Sequence, residues 1–282
     1  MLKLPIGCLF LLIITQASEA QYFYKDLIVN QGTVNRWKLY RDNRVKAVNL
    51  ISTEADGKPT EGFLGEQIIS DDYSRITTHT KSSGTTDSWI ITDYSPQGRI
   101  LKNTDTSDTY QNVSEYRYDT QGRIITIADT SLETDNHFRE VEVHQWTYDK
   151  THPDKPVSML KIRDGGDTTY VRFVLGEKGN VTEEHARRKG EDLPVIYYYY
   201  DADNRLTDIV RYSIRAKRLL PMDMFEYEDG RLSSSLIVPE EGNSFYQKWY
   251  YVYDDKGLKA KDFCYNKQKE LLGSIEYQYS YK

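Results

Sequence analysis

The chain alternates rings with polar residues in a short pattern that recurs along much of its length. Each copy reads ring, any residue, ring, Asp, two polar residues, Gly or Asn, often Arg, and then an aliphatic residue. The sharpest full copies begin at Tyr116, Tyr198 and Tyr251, and a shortened copy begins at Phe225. Because successive side chains of a strand point to opposite faces, rings two residues apart share one face. The pattern therefore predicts β-strands.

The polar part of each copy predicts a tight turn. An Asp side chain bonds the backbone downstream of it, and Gly or Asn tolerates a positive φ. Each copy is thus a β-hairpin. The Gly or Asn markers stand at positions 43, 74, 98, 122, 179, 204, 230 and 257. A further copy around Trp146 to Asp149 fills the longest interval, which gives nine hairpins and about eighteen strands. No window shows a helical period, so we expect no helix.

The Tyr-x-Tyr-Asp-x-x-Gly-Arg-Ile/Leu units resemble the YD (Rhs-type) repeats of bacterial surface and secreted proteins. In that family tandem hairpins wind into a long curved sheet, and large members form a shell around a toxin domain. The chain departs from the shell pattern, because nine hairpins are fewer than a closed shell needs and no separate effector follows Tyr281-Lys282. The resemblance therefore implies a short secreted member without a toxin domain. We therefore predict an all-β fold of tandem antiparallel hairpins in one long curved or twisted, solenoid-like sheet.

Residues 1–20 have the pattern of a secretory signal peptide. Lys3 supplies a positive start, and Ile6 to Ile14 form an apolar run that is too short for a stable membrane anchor. Ser18-Glu19-Ala20 offers small residues at a cleavage site. We expect a secreted or periplasmic protein of the bacterial cell envelope, with no membrane span after cleavage.

The mature chain, 21–282, is predicted to be a single hairpin-repeat domain. Residues 21–100 match the repeat poorly and form a divergent N-terminal cap, whereas residues 101–282 carry the clearer copies. Cys264 is the one cysteine left after cleavage. Internal disulfides are therefore excluded, and we interpret Cys264 as a small residue packed beside rings.

Composition sharpens this picture. The sequence has 24 tyrosines and a mean hydropathy of −0.69, so its core must be thin and rich in tyrosine. The net charge of −6 gives no reason to expect a nucleic-acid partner. The partner is unknown, and an envelope glycan or protein fits a surface rich in tyrosine.

Two carboxylates and an imidazole alternate in one predicted strand, at Glu140, Glu142 and His144. Sharing one face, they could bind a divalent ion or perform acid–base work. The plainer interpretation is a solvated strand whose glutamates pair with lysines or arginines of a neighbouring hairpin. Asp201-Ala202-Asp203-Asn204 is similar to the start of a calcium loop, but it lacks the glycine and the final acidic residue. We predict neither a cofactor nor a metal.

Tyrosines that point to the face opposite the repeated rings are the candidate binding residues. Tyr197, Tyr199 and Tyr250 alternate with the repeated rings, so at least two hairpins present rings on both faces. Exposed tyrosines can grip sugars or extended peptides. The basic clusters Arg187-Arg188-Lys189 and Arg215-Ala216-Lys217-Arg218 are interpreted as solvated turns, with contact to a phosphate or an acidic glycan as the alternative.

These observations favour an exported, non-enzymatic scaffold or binding protein whose ligand is a glycan or a peptide. The alternative is a secreted hydrolase that uses carboxylates on the sheet face. An outer-membrane barrel would also suit about eighteen alternating strands, but lipid-facing strands must be apolar over roughly ten residues. Segments such as Lys259 to Asp262 and Arg172 to Lys178 are too charged for that.

Overall fold

The structure is a computed structural model, and it describes residues 22–83, 87–133, 138–213, 216–238 and 246–282. The predicted signal peptide at residues 1–20 lies outside this range. The described residues form one helix, α1 (Lys25–Asp42), followed by nineteen strands. In chain order the strands are β1 (Val45–Glu54), β2 (Leu64–Ile69), β3 (Arg75–Lys81), β4 (Ser88–Tyr94), β5 (Ile100–Thr106), β6 (Tyr110–Tyr118), β7 (Ile124–Glu133), β8 (Arg139–Tyr148), β9 (Pro156–Arg163), β10 (Asp167–Leu175), β11 (Val181–Arg188), β12 (Glu191–Asp192), β13 (Ile196–Tyr200), β14 (Leu206–Ser213), β15 (Arg218–Glu228), β16 (Arg231–Ile237), β17 (Gln247–Tyr253), β18 (Lys259–Tyr265) and β19 (Leu271–Tyr281).

The strands close into a barrel, so the prediction of an open, solenoid-like sheet is wrong. Neighbouring strands pair antiparallel around the wall, and the last strand, β19, pairs with the first, β1. Val48 lies opposite Tyr279, and Ser52 lies opposite Ile275. The two-residue β12 pairs with β11 in the turn that leads to β13. Eighteen of the strands in the described residues therefore make up the wall.

Bulges explain why the sheet curls until its ends meet. A register shift recurs just before the Asp of the turn, between Arg117 and Tyr118, Tyr199 and Tyr200, and Val252 and Tyr253. A bulge bends its strand and increases the local twist. Because the shift recurs at equivalent points of successive hairpins, the bends accumulate in one direction. Closure also pairs the backbone N–H and C=O groups that the two edge strands of an open sheet would expose.

The repeated tyrosines of successive hairpins form a ladder on the inner face of the wall, in keeping with the prediction of a core rich in tyrosine. The second ring of each copy donates its hydroxyl hydrogen to a carbonyl of the preceding hairpin at 2.8 to 2.9 Å. The pairs are Tyr118 with Ile100, Tyr148 with Ile124, Tyr200 with Val181, Tyr227 with Leu206, Tyr253 with Leu232, and Tyr279 with Lys259. Burial raises the pKa of each phenol, to about 12 for Tyr253, so the hydroxyls remain donors.

The helix α1 contradicts the expectation that the chain has none. Its buried residues are Trp37 and Tyr40, whereas Val29 and Leu39 are exposed. Apolar residues thus do not follow one helical face, and a periodic signal is absent. The N–H of Asn43 donates to the carbonyl of Leu39 at 3.1 Å, so the marker at position 43 ends this helix and is not a hairpin turn.

The helix crosses the interior of the barrel. Near its start, Tyr24 contacts Phe173 of β10 and Tyr198 of β13. Near its end, Trp37 stacks on Tyr94 of β4, and Tyr40 contacts Tyr279 of β19. These strands lie on opposite sides of the wall, and the 18 residues of the helix extend about 27 Å. A hydrophobic cluster forms at each end of the helix. No helix in the described residues has the length and apolar character needed to cross a membrane.

Candidate functional site

The acidic strand segment lies where its alternation predicts, with its three side chains on one face. Glu140, Glu142 and His144 point into the barrel from β8, on the same parity as the buried Trp146. On the neighbouring β9, Arg163 lies opposite Glu142, and Lys161 lies opposite His144. The predicted pairing of the glutamates with basic residues of the next strand is confirmed. The solvated surroundings are not, because His144 is buried.

His144 joins the helix to the barrel wall. Its Nδ1 lies 2.5 Å from Oδ2 of Asp26 in the first turn of α1, and its Nε2 lies 2.9 Å from Oε1 of Glu142. Glu142 also lies 2.7 Å from Nζ of Lys161 and 3.2 Å from Nη2 of Arg163. Both ring nitrogens thus face carboxylates.

The charges of this cluster are fixed by its geometry. Burial alone would lower the pKa of His144, but the carboxylates of Asp26 and Glu142 raise it to about 10. Burial alone would raise the pKa of Glu142, but hydrogen bonds from His144 and Lys161 lower it to about 2. An imidazolium has two N–H donors and no lone pair, so it can neither accept a proton nor bind a metal. His144 is therefore a buried cation with a structural role.

A second buried carboxylate binds the residues that lead into the helix, from β11, three strands along the wall from β8. The oxygens of Glu184 on β11 accept hydrogen bonds from the N–H groups of Phe23 and Tyr24, each at 2.9 Å, and from the hydroxyl of Tyr198 at 2.7 Å. Burial raises the pKa of Glu184 to about 7, although these hydrogen bonds lower it. Beside it, the hydroxyl of Tyr22 donates to Asp223 at 2.8 Å.

Asp26, Glu184 and Asp223 were not predicted from the sequence. The alternation of β11 indicates an inward position for Glu184, because Glu184 lies two residues before the buried Ala186 and both side chains point to the same face. A carboxylate at that parity must find a partner inside the barrel. The described residues contain no group of three or more metal-binding side chains that could hold an ion. The group formed by Asp26, Glu142 and His144, which we name the inner cluster, links the start of α1 to β8.

The tyrosines of opposite parity lie on the outer face of the barrel. Tyr199 is 47% exposed and Tyr250 is 41% exposed, while Tyr197 is partly exposed. The ring of Tyr250 lies 5.5 Å from that of Tyr265 in an edge-on contact, and Nζ of Lys248 lies 5.0 Å from its centre. The prediction that some hairpins carry rings on both faces is confirmed.

These tyrosines belong to a wider apolar area. We name as the outer aromatic face eight aromatic and apolar side chains that point outward from β13, β14, β15 and β17: Tyr197, Tyr199, Val210, Tyr212, Leu219, Met224, Tyr250 and Val252. Six of these side chains are large, apolar and at least 37% exposed. Exposed apolar side chains grouped on neighbouring strands are typical of an interaction site.

Two other candidates have structural roles. Cys264 points inward and is fully buried, and burial raises the pKa of its thiol to about 12, so it is unreactive. The carboxylate of Asp201 accepts from the backbone N–H of Arg205 at 2.9 Å and from its Nε at 2.7 Å. The first acidic side chain of this turn therefore fixes the start of the return strand, which agrees with a hairpin turn at Asp201 to Asn204.

Comparisons with known proteins find distant similarities of structure and no similarity of sequence family. No protein-family model and no curated protein matches the sequence. The structure is similar to a porin-like protein from Bacteroides uniformis, with a TM-score of 0.44 and 9% identity over 84% of this chain and 97% of that one. It is also similar to 16% of a TcdB2-TccC3 chain, with a TM-score of 0.33 and 11% identity over 78% of this chain. The Photorhabdus luminescens Tc holotoxin pore matches 79% of this chain with 15% of its own, at a TM-score of 0.29 and 12% identity. Likenesses this distant identify neither a family nor an activity.

Proposed function

We propose that this chain is an exported, non-enzymatic β-barrel of the bacterial cell envelope that binds a glycan or a peptide on its outer aromatic face. The six exposed apolar side chains grouped on β13 to β17, Tyr199 and Tyr250 among them, carry the proposal, because grouped exposed apolar side chains are typical of an interaction site. Tyrosine offers a large, rigid contact area with a polar tip, which suits both ligand classes.

The surroundings of His144 argue against the alternative function, a hydrolase that uses Glu140, Glu142 and His144. In the alternative function, Glu140, Glu142 and His144 would supply acid–base catalysis. A general base needs a pKa near the working pH, yet His144 is held as a cation between Asp26 and Glu142. This cluster links α1 to β8, and we propose that the outer aromatic face supplies the binding chemistry.

The recurrent turns support a relation to YD repeats. In the turns that begin at Asp119, Asp201 and Asp254, the Asp carbonyl accepts from the N–H of the Gly or Asn three residues later, at 3.0 to 3.1 Å. We infer that the chain is a short relative of that family whose hairpins close into a barrel.

Charges on the outer wall support an aqueous location within the envelope. Glu66, Glu115, Arg172, Glu183 and Glu276 point outward from within β2, β6, β10, β11 and β19. A strand that crosses a membrane needs about 9–11 residues with an apolar lipid-facing side. Outward charges on five strands interrupt any apolar band around the wall.

Expression with residues 1–20 in a Gram-negative host tests this location. We expect cleavage after Ala20 and recovery of the barrel from the periplasm in salt solution without detergent, because the charged wall is hydrated. Fractionation followed by mass spectrometry measures both outcomes. Retention in the membrane pellet after salt and alkaline washes, with release by detergent alone, would instead show an outer-membrane barrel.

Arrays of neutral oligosaccharides and extended peptides test the binding face. We expect the mature protein to bind members of one class, and Tyr199→Ala or Tyr250→Ala to weaken that binding about tenfold, since the loss of one central aromatic contact costs about 1.4 kcal/mol. Tyr281→Ala is the matched control, because Tyr281 is 41% exposed but lies outside the outer aromatic face. Equal binding by all three variants would remove the face from the proposal.

A further inference from the structure

A surface groove lies at one edge of the barrel, between two hairpin turns. The turn from β9 to β10 forms one side with Gly166 and Asp167, and the turn after β11 forms the other with Lys189 and Gly190. Tyr170 also lines the groove, and its 65% exposure is the largest among the described large apolar side chains. A ring this open offers a flat platform to a ligand in the groove.

Basic side chains surround this platform. Arg187 lies directly across from Tyr170 in the pairing of β10 and β11, and Arg172 points outward two residues along β10. The side chain of Lys189 is 74% exposed, and its Nζ lies 3.7 Å from Oδ2 of Asp167. That same carboxylate oxygen lies 2.5 Å from Nη2 of Arg188. Lys189 therefore shares an acid that another cation already neutralises.

The arginine beside the platform is held in place by the turn. Nε and Nη2 of Arg187 donate to the carbonyl of Gly190 at 3.1 and 2.9 Å, while its nearest acid, Asp192, is 3.7 Å away and highly exposed. A guanidinium oriented by a carbonyl keeps its full charge and further N–H groups for an anion. The groove is thus locally basic in a protein whose net charge is −6.

We propose that this groove binds a sugar ring that carries a sulfate, phosphate or carboxylate group, so that the ligand of the barrel is an anionic glycan. The ring stacks on Tyr170, and the anionic group pairs with Lys189 and Arg187 through charge-assisted hydrogen bonds. This inference rests on the proposed binding function and names its ligand class. The groove and the outer aromatic face lie on the same outer wall. One strand, β11, separates β10 from β13, and its residue opposite Tyr170 lies four residues, or about 13 Å, from its residue opposite Tyr197.

Titration of the mature protein with four defined probes tests the proposal. The probes are a heparin-derived sulfated hexasaccharide, a phosphorylated glucosamine disaccharide, the neutral N-acetylglucosamine hexamer and a hexa-aspartate peptide. We expect at least one anionic sugar to bind about tenfold tighter than the neutral hexamer and to weaken as salt is added. Binding of the sulfated probe alone indicates a glycosaminoglycan-like source, and binding of the phosphorylated probe alone indicates a lipid headgroup sugar.

Two variants separate the stacking and the charge contributions. Tyr170→Ala and Lys189→Asn should each weaken the anionic sugar about tenfold. Asparagine suits position 189 because Lys189 has a φ of 50°. Lys267→Asn is the matched control, an exposed lysine in the turn between β18 and β19. Circular dichroism confirms that the variants keep the native strand content.

The outcomes that overturn the inference differ from those that overturn the proposed function. If the neutral hexamer binds as tightly as the anionic sugars, or if Lys189→Asn binds them normally, the groove does not select an anionic glycan. Equal binding of hexa-aspartate with no effect of Tyr170→Ala would point to an acidic peptide and likewise overturn it. In these cases a loss of binding on Tyr199→Ala still supports the proposed function. Failure of every glycan and peptide to bind would overturn both.

Discussion

Replacing His144 with glutamine is expected to lower the free energy of unfolding by about 3–5 kcal/mol. Glutamine keeps a similar size but removes the cation that lies between Asp26 and Glu142. Removing one partner of a buried ion pair leaves the other charge without compensation in a medium of low polarity. The start of α1 also loses its link to β8. Urea unfolding followed by tryptophan fluorescence measures the change.

The pH dependence identifies the cause of this loss. The pKa of His144 in the folded state, about 10, lies above its ordinary value of 6.5. The stabilisation by His144 is therefore complete below pH 6.5 and is lost as the pH rises towards 10. The unfolding free energy of the wild-type protein should fall between these pH values, and that of His144→Gln should fall much less. His152→Gln is the control, because His152 is exposed. Equal losses in the two variants would refute the role of the buried cation.

Turn chemistry was predictable from the sequence because it is local. An Asp followed three residues later by Gly or Asn fixes a turn through bonds within five residues, as in Asp254 to Leu258. Strand alternation is local as well, and it correctly placed Tyr197 and Tyr199 opposite to Tyr198. These signals determine hairpins, but they do not determine how hairpins are arranged around an axis.

Closure was not predictable because it depends on the sum of many small bends. The contact that closes the barrel joins Val48 to Tyr279, residues that lie at opposite ends of the folded chain. Each bulge adds a bend whose size no single hairpin sequence reveals. The strand count alone fits both a solenoid and a barrel. The distinction lies in the β1–β19 pairing, which carries no local signature.

The helix escaped prediction for a related reason. Its fixed points are distant in sequence: Glu184 caps its start, and Gln67 accepts from the hydroxyl of Tyr40 near its end. Such a helix gains little from its own amphipathic face and is stabilised by the surrounding wall. The part of the inner cluster that lies on β8 was predictable, and the part that lies on α1 was not. Alternation placed Glu142 and His144 together, and the shared parity with Trp146 indicated the inside, but Asp26 had no signal in the strand.

Gly98→Ala is expected to destabilise the barrel by about 3–5 kcal/mol, comparable to removal of a buried aromatic ring. Gly98 has a φ of 82°, so any Cβ costs about 1–2 kcal/mol in backbone conformation alone. A Cβ there would also lie 2.8 Å from Cη2 of Trp37 and closer still to two other ring carbons. The rigid ring would have to leave its stack on Tyr94, and the end of α1 would detach from β4.

Gly230→Ala separates the conformational cost of a Cβ at positive φ from the cost of the clash with Trp37. Gly230 has a φ of 77°, but no heavy atom lies within 4 Å of the position that its Cβ would take. This variant should therefore lose about 1–2 kcal/mol, the conformational cost alone. In a Trp37→Ala background the clash disappears, so Gly98→Ala should cost no more than Gly230→Ala does. Thermal and urea unfolding of the five proteins, wild type included, measure the cycle. If Gly98→Ala costs the same with and without the Trp37 ring, that ring does not fix the end of the helix against the turn, and Tyr40 is left as the anchor at this end, through Gln67 and Tyr279.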